Sequence, residues 1–159
     1  QCRPFLENLK ELQWTIVEQH DFVETGRKYF QNDTLHFCST LDECVRKTVP
    51  TVILFSGVLQ YLEQYLTVIE SAVSFGARSI IIDRTPVVAL PESRLARQVV
   101  PKHLGSASYP VRLFNREHLL APFFPSYRLI SEFDAVDDVM SYGLTRIDFK
   151  GFILDKVPG

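Results

Sequence analysis

Two apolar runs that stop abruptly on polar residues constrain this chain more than any other feature. Trp-Thr-Ile-Val-Glu-Gln (14–19) ends on the carboxylate Glu18, and Thr-Val-Ile-Leu-Phe-Ser-Gly-Val-Leu-Gln-Tyr-Leu (51–62) breaks on the small turn Ser56-Gly57. Short continuous runs of this kind read as strands buried on both faces, the pattern of a parallel sheet. In open α/β sheets ligands bind beyond the carboxyl ends of such strands. An acid closing one strand and a Ser-Gly turn closing another therefore point to a nucleotide-type site. Dinucleotide folds set a glycine-rich phosphate loop about 20 residues ahead of the ribose-binding acid. Counting back from Glu18 runs off the front of the chain.

The flanking periodicity extends the same pattern. Phe5, Leu6, Leu9 and Leu12 recur at helical spacing, so residues 4–12 read as the end of an amphipathic helix. Strands are expected over Trp14–Glu18, Leu35–Cys38, Thr51–Phe55 and Ser79–Ile82. Helices are expected between them: Asp21–Phe30, Leu41–Lys47 capped by Ser39 or Thr40, and Gln60–Phe75 closed by Gly76. Asp42 and Glu43 favour the start of the second helix electrostatically. This alternation predicts a parallel sheet with right-handed crossovers.

After Asp83 the pattern changes. Residues 84–112 hold Pro86, Pro91, Pro101 and Pro110 with little periodicity and read as a long irregular segment, an acceptor-side lid. Periodic structure resumes with a helix over Arg116–Phe124 and a strand over Tyr127–Phe133. A final strand over Phe149–Asp155 is expected to run antiparallel to its predecessor, while Asp134–Ile147 shows no usable period.

The length of 159 residues fits one domain. Net charge is −2, so no overall basic field advertises nucleic acid or an anionic membrane. Cys2, Cys38 and Cys44 lack CxxC spacing, which argues against a structural zinc site or disulfide framework and for a reducing, cytoplasmic compartment. No run approaches the roughly 18 apolar residues of a membrane span. Residue 1 is not a methionine, and the chain is expected to be cut from something longer.

Five blocks occur in order: Trp-x-Ile-Val-Glu-Gln-x-x-Phe-Val-x-x-Gly-Arg (14–27), Phe-Ser-Gly-Val-Leu-Gln-Tyr-Leu (55–62), Ile-Asp-Arg-Thr-Pro (82–86), Arg-Gln-Val-Val-Pro (97–101) and Ala-Ser-Tyr-Pro (107–110). With them the chain resembles a family of bacterial S-adenosylmethionine-dependent methyltransferases often associated with surface-polysaccharide gene clusters. The resemblance extends to Gly151-Phe152. It implies a Rossmann-like class I methyltransferase sheet, mostly parallel with an antiparallel C-terminal hairpin. It implies S-adenosylmethionine as cofactor and a small molecule or saccharide hydroxyl as acceptor. Family members carry a strand and a Gly-Gly-x-x-Gly-type loop just before the Arg-Pro-Phe-Leu found here at 3–6, and these residues contain neither. Residues 1–159 are thus expected to form a single domain truncated at its N-terminus, lacking the first strand between Trp14–Glu18 and Thr51–Phe55. By themselves they are expected to bind the cofactor poorly.

Candidate site residues follow from the strand ends. Glu18 is positioned to accept both ribose hydroxyls, or is a solvated loop acid; Gln19 shares its rim. Ser39 lies where an adenine edge would sit, and serves equally as a helix cap. Ser56, Gly57 and Val58 form a turn that permits close approach of a ligand to backbone. Tyr61 lays its ring near a sulfonium, which aromatic faces attract, or is simply packed. Asp83 and His103 are the two candidate general bases. Arg84, whose planar fork suits phosphate or carboxylate, joins Thr85, Gln98 and Tyr109 as acceptor-binding candidates. The rival class of function is a non-catalytic Rossmann-like module that does not bind the cofactor. A sugar-nucleotide oxidoreductase would usually show a Tyr-x-x-x-Lys pair, and the chain has none.

Overall fold

A computed structural model of the chain describes residues 6, 8–46, 49–100, 102–135 and 140–158. These divide into two compact units, one ending at Val49 and the other beginning at Pro50.

In the first unit, β1 (Trp14–Val17) pairs in parallel with β2 (Leu35–Cys38), from Trp14 opposite Leu35 to Val17 opposite Cys38. The connection between them is α1 (His20–Tyr29), which buries Val23 and Gly26. Gly26 sits directly against the Phe37 ring, so any larger side chain there would collide with it. A short helix α2 (Leu41–Val45) follows β2, and its first turn is capped as Thr40 Oγ1 accepts from the Glu43 N–H at 3.1 Å. Arg27 ties these pieces together. It donates twice to the Phe37 carbonyl, at 2.9 and 3.1 Å, and pairs with Glu43 at 2.8 Å.

The second unit is built on a five-stranded sheet. Its strands are β3 (Val52–Ser56), β4 (Ser79–Val88), β7 (Tyr127–Asp134), β8 (Met140–Tyr142) and β9 (Thr145–Lys156), in the order β3-β4-β9-β7 with β8 also on β9. A separate hairpin pairs β5 (Arg94–Val99) with β6 (Ser108–Leu113). The helices are α3 (Tyr65–Phe75) and α4 (Arg116–Leu120). Apolar side chains from strands and helices meet in one core, including Phe55, Ile69, Ile82, Phe123 and Phe152. Tyr127 is enclosed with them, and its hydroxyl is satisfied by donating to the Ala77 carbonyl at 2.7 Å. Burial pushes that phenol's pKa above its ordinary value.

Several expectations need correction. The sheet of the second unit is mixed, not mostly parallel: among the described residues β3–β4 is its one parallel ladder, and β4–β9, β7–β9 and β8–β9 are antiparallel. The cause is the long final strand, which enters between β4 and β7 and reverses both of its ladders. As expected, β9 and β7 run antiparallel; β7 therefore points the same way as β3 and β4. Among the described residues β1 pairs only with β2, and β3 only with β4, so each is an edge strand of its own sheet.

The segment 84–112 is not irregular. It completes β4 and supplies β5 and most of β6. Pro86 is tolerated inside β4 because its polar backbone edge faces Phe114, away from the β4–β9 ladder: its carbonyl accepts from the Phe114 N–H at 2.9 Å. The helix expected from Gln60 is split into a single tight turn, Leu59–Tyr61, and α3, because Leu62 adopts an extended backbone. α3 does end on Gly76, in the left-handed conformation at φ 70°. The helix expected over Arg116–Phe124 likewise tightens after Leu120. Residues 4, 5 and 7 of the expected helical stretch 4–12 lie outside the described residues, as do 1–3, and 8–12 are not helical. Lys47 and residues 136–139 also lie outside them.

Candidate functional site

The second unit gathers its polar residues where its parallel ladder ends. Ser56 and Asp83 are the last cross-strand pair of β3 and β4. The Ser56 hydroxyl donates to Asp83 Oδ2 at 3.1 Å and accepts from Arg84 Nη2 at 2.8 Å. Arg84 Nε stands 3.5 Å from the same carboxylate oxygen. A guanidinium, a hydroxyl and a carboxylate thus form one hydrogen-bonded chain, with the Arg84 side chain more than half exposed and that of Asp83 partly so. Asp83 keeps its charge partnered while remaining open to a ligand.

The backbone here is held by several contacts. β4 carries a register shift between Ile82 and Thr85, and Arg84 lies in the left-handed region at φ 50°. A side chain other than glycine rarely adopts that conformation unless its surroundings impose it, and such positions cluster at functional sites. Gly57 turns the chain out of β3 at φ 62° and donates its N–H to the Asp83 carbonyl at 2.8 Å. The Thr85 hydroxyl reaches the same carbonyl at 3.4 Å; Thr85 is fully enclosed and supports the corner from within. Gln60 donates from Nε2 to the Arg84 carbonyl at 3.3 Å. Gln60 is buried, and its Oε1 has no partner among the described residues. Sequence reading missed this residue, although a lone amide inside the apolar run Val58–Leu62 was the available signal.

Tyr61 links this corner to the hairpin. Its hydroxyl donates to Gln98 Oε1 at 3.1 Å, and its ring meets the edge of Tyr109 with centroids 5.4 Å apart. Gln98 and Tyr109 are cross-strand partners in β5 and β6, so three expected site residues converge. Burial, and then the neighbouring Tyr109, raise the Tyr61 pKa above its ordinary value, so it remains a donor at neutral pH. At the start of α3, the Arg112 guanidinium lies over the Tyr65 ring at 4.8 Å. Val58 is partly exposed between Gly57 and the turn. His103 is placed differently. It sits on the exposed turn Lys102–Leu104 joining β5 to β6, and makes no hydrogen bond or ion pair among the described residues.

In the first unit the polar ends are simpler. Glu18 follows the last residue of β1, continues the ladder by donating its N–H to the Cys38 carbonyl, and is exposed. Its Oε2 accepts from the Gln19 N–H at 3.1 Å, which orients the carboxylate and leaves Oε1 open. Gln19 itself precedes α1 without a side-chain cap bond. Ser39 donates its N–H to Glu43 Oε2 at 3.0 Å, so Thr40, not Ser39, is the helix cap. Among the described residues no three His, Cys, Asp or Glu side chains come together as a metal site, and no helix is long and apolar enough to cross a membrane.

No protein-family model matches this chain, and no curated protein matches it in sequence. Its fold does have solved counterparts. It is similar to the N-terminal domain of EvdMO1 in a crystal structure with SAH bound, at a TM-score of 0.52 and 12% identity, covering 92% of this chain and 65% of that one. A crystal structure of the same domain in the presence of SAH and D-fucose gives a TM-score of 0.55 at 11% identity, covering 98% and 71%. At such identities the likeness is one of fold. The chain spans about two thirds of that domain's length.

Proposed function

We propose that this chain belongs to an S-adenosylmethionine-dependent methyltransferase acting on a hydroxyl of a saccharide. The observation that carries this reading is the Ser56–Asp83–Arg84 cluster at the carboxyl end of the β3–β4 ladder, where open α/β sheets bind ligands. The fold shared with an SAH-bound domain supports the cofactor, since SAH is the demethylated product of S-adenosylmethionine. The presence of D-fucose in the second structure supports a sugar acceptor.

The chain's residues divide the work by chemistry. Glu18, with one carboxylate oxygen oriented and one open, suits the paired hydroxyls of a ribose. Gln19, Ser39 and the turn Ser56-Gly57-Val58 are further contacts proposed toward the cofactor. Because S-adenosylmethionine brings an already activated methyl group, the protein's part is positioning and charge arrangement. Asp83 is the better placed of the two candidate bases: it lies inside the hydrogen-bonded cluster, whereas His103 lies on the hairpin tip. Arg84, Gln98 and Tyr109 would orient the acceptor, with Thr85 supporting the corner.

The reading is tested by incubating the natural protein that carries these residues with methyl-labelled S-adenosylmethionine and a panel of mono- and oligosaccharides. Label is expected in a saccharide. The absence of transfer to every member of the panel, from protein that binds SAH, would exclude a sugar acceptor. The rival reading, a scaffold that does not bind the cofactor, would show no SAH binding at all.

A further inference from the structure

The side chains of Asp83 and Arg84 depart from what a regular strand allows. Successive side chains of a strand point to opposite faces, so these two neighbours should stand back to back. Instead the carboxylate and the guanidinium meet on one side, both bonded to the Ser56 hydroxyl. The register explains it. Ile82 faces Phe152 and Thr85 faces Lys150, so two residues of β4, Asp83 and Arg84, stand against the single Gly151 of β9. Phe152 and Lys150 are two apart and share a face; their partners Ile82 and Thr85 therefore share it too, although three apart. Asp83 and Arg84 are left together on the other face. An extra residue of this kind is a β-bulge, which re-aims side chains.

The chain leaving β3 fastens that bulge. Gly57 donates its N–H to the Asp83 carbonyl at 2.8 Å, and Gln60 donates from Nε2 to the Arg84 carbonyl at 3.3 Å. Gln60 is only 5% exposed. Because its Nε2 must face a carbonyl, its Oε1 is fixed as an acceptor, and among the described residues it accepts nothing. An enclosed carbonyl oxygen without a partner disfavours folding, a cost that an apolar side chain at position 60 would avoid. Packing therefore does not account for an amide there; the bond to Arg84 does.

We propose that Gln60 is a positioning residue: its amide straps the Arg84 carbonyl and so keeps the Asp83 carboxylate and the Arg84 guanidinium on one face, set for a single acceptor molecule. Gln60 touches no reacting atom in this assignment. It acts through Arg84, whose left-handed backbone at φ 50° persists only while its surroundings impose it. With the strap gone, that residue relaxes and the guanidinium leaves Ser56. A misplacement of about 1 Å at such a group can cost about 10²-fold in rate. The consequence for catalysis rests on the methyl-transfer reading; the strap itself does not.

The test is Gln60→Met in the natural protein, which keeps the length of the side chain and removes its N–H donors. Gln60→Leu is read in the same way should methionine not be accommodated. Arg84 Nε donates to Ser56 Oγ at 3.3 Å, and NMR should find its proton exchanging with solvent at least about tenfold faster in the variant. Methyl transfer should fall by about 10–100-fold in kcat, with KM for S-adenosylmethionine within about threefold of the parent. In an Arg84→Ala background Gln60→Met should cost no further transfer, since the residue it acts through is already gone. Unchanged Arg84 exchange, unchanged kcat in an active enzyme, or an undiminished further loss in the Arg84→Ala background would overturn the proposal. So would a Gln60 Nε2 proton that exchanges in the parent as fast as those of exposed glutamines, a result that needs no variant. Faster Arg84 exchange in a protein that transfers no methyl group would uphold the strap and remove the enzyme reading.

Discussion

Replacing Phe152 with alanine should destabilise the protein by about 3–5 kcal/mol, the usual cost of truncating a buried aromatic side chain. Phe152 is fully enclosed on β9, opposite Ile82 of β4 and Glu132 of β7, in the strand that both ladders share. Removing its ring leaves a cavity in the core shared by these strands and the helices packed on them, including Ile69 and Phe123. The fixed strand framework cannot close over such a void, so the loss combines transfer and cavity terms. Urea unfolding followed by circular dichroism measures it. Leu144→Ala serves as the control, because Leu144 is wholly exposed and its loss should change stability by less than about 0.5 kcal/mol. A Phe152→Ala protein within about 1 kcal/mol of the parent would mean that β9 is not the central strand described here.

Changing Asp83 to asparagine should lower the rate of methyl transfer by about 10²–10⁴-fold, the range for losing a general base, while SAH affinity stays within about threefold. The amide keeps an oxygen to accept from Ser56 Oγ, so the corner should hold its shape. What it loses is the negative charge beside Arg84 and the ability to take a proton from an acceptor hydroxyl. His103→Asn should leave the rate nearly unchanged, since that side chain stands on the exposed turn between β5 and β6. Single-turnover assays with labelled cofactor distinguish these outcomes. A large loss in His103→Asn with Asp83→Asn near normal would reverse the assignment.

Apart from residues 8–12 and the break at Leu62, the helices and strands up to Asp83 were legible because local signals agree there. Apolar runs mark β1, β2 and β3, Thr40 caps α2, and Gly76 ends α3. The segment beyond Asp83 misleads because its prolines resemble loop markers. Pro86 in fact turns its backbone edge away from β9 toward Phe114, and Pro110 sits exposed opposite Arg97 on a two-stranded hairpin, where a missing N–H is tolerated. Both facts depend on partners distant in sequence, which periodicity cannot register. The mixed pairing of the larger sheet has the same origin. Where β9 inserts is decided by packing between β4 and β7, not by any pattern within its twelve residues.

The site shows the same division. Ser56, Asp83 and Arg84 could be named from strand ends, and Gln98 and Tyr109 from their place in the segment expected to line an acceptor pocket. Their hydrogen-bonded grouping could not, because it depends on the left-handed Arg84 and the register shift beside it. Gln60 left only the weak signal of a lone amide in an apolar run, because its role is a bond to the Arg84 backbone carbonyl. That Arg97 is exposed without a partner among the described residues emerged only from the folded hairpin.

The central claim is that these residues serve an S-adenosylmethionine-binding enzyme, and the most direct test is calorimetric titration of SAH into the natural protein alongside its Glu18→Ala variant. Glu18 is exposed, and among the described residues its carboxylate bonds only the neighbouring Gln19 N–H, so its removal should leave the fold intact. The account predicts one-to-one binding to the parent, weakened by about 1.5–3 kcal/mol in the variant, the loss expected for a charge-assisted hydrogen bond. Absence of SAH binding by the parent, or equal affinity in a folded Glu18→Ala protein, would contradict it.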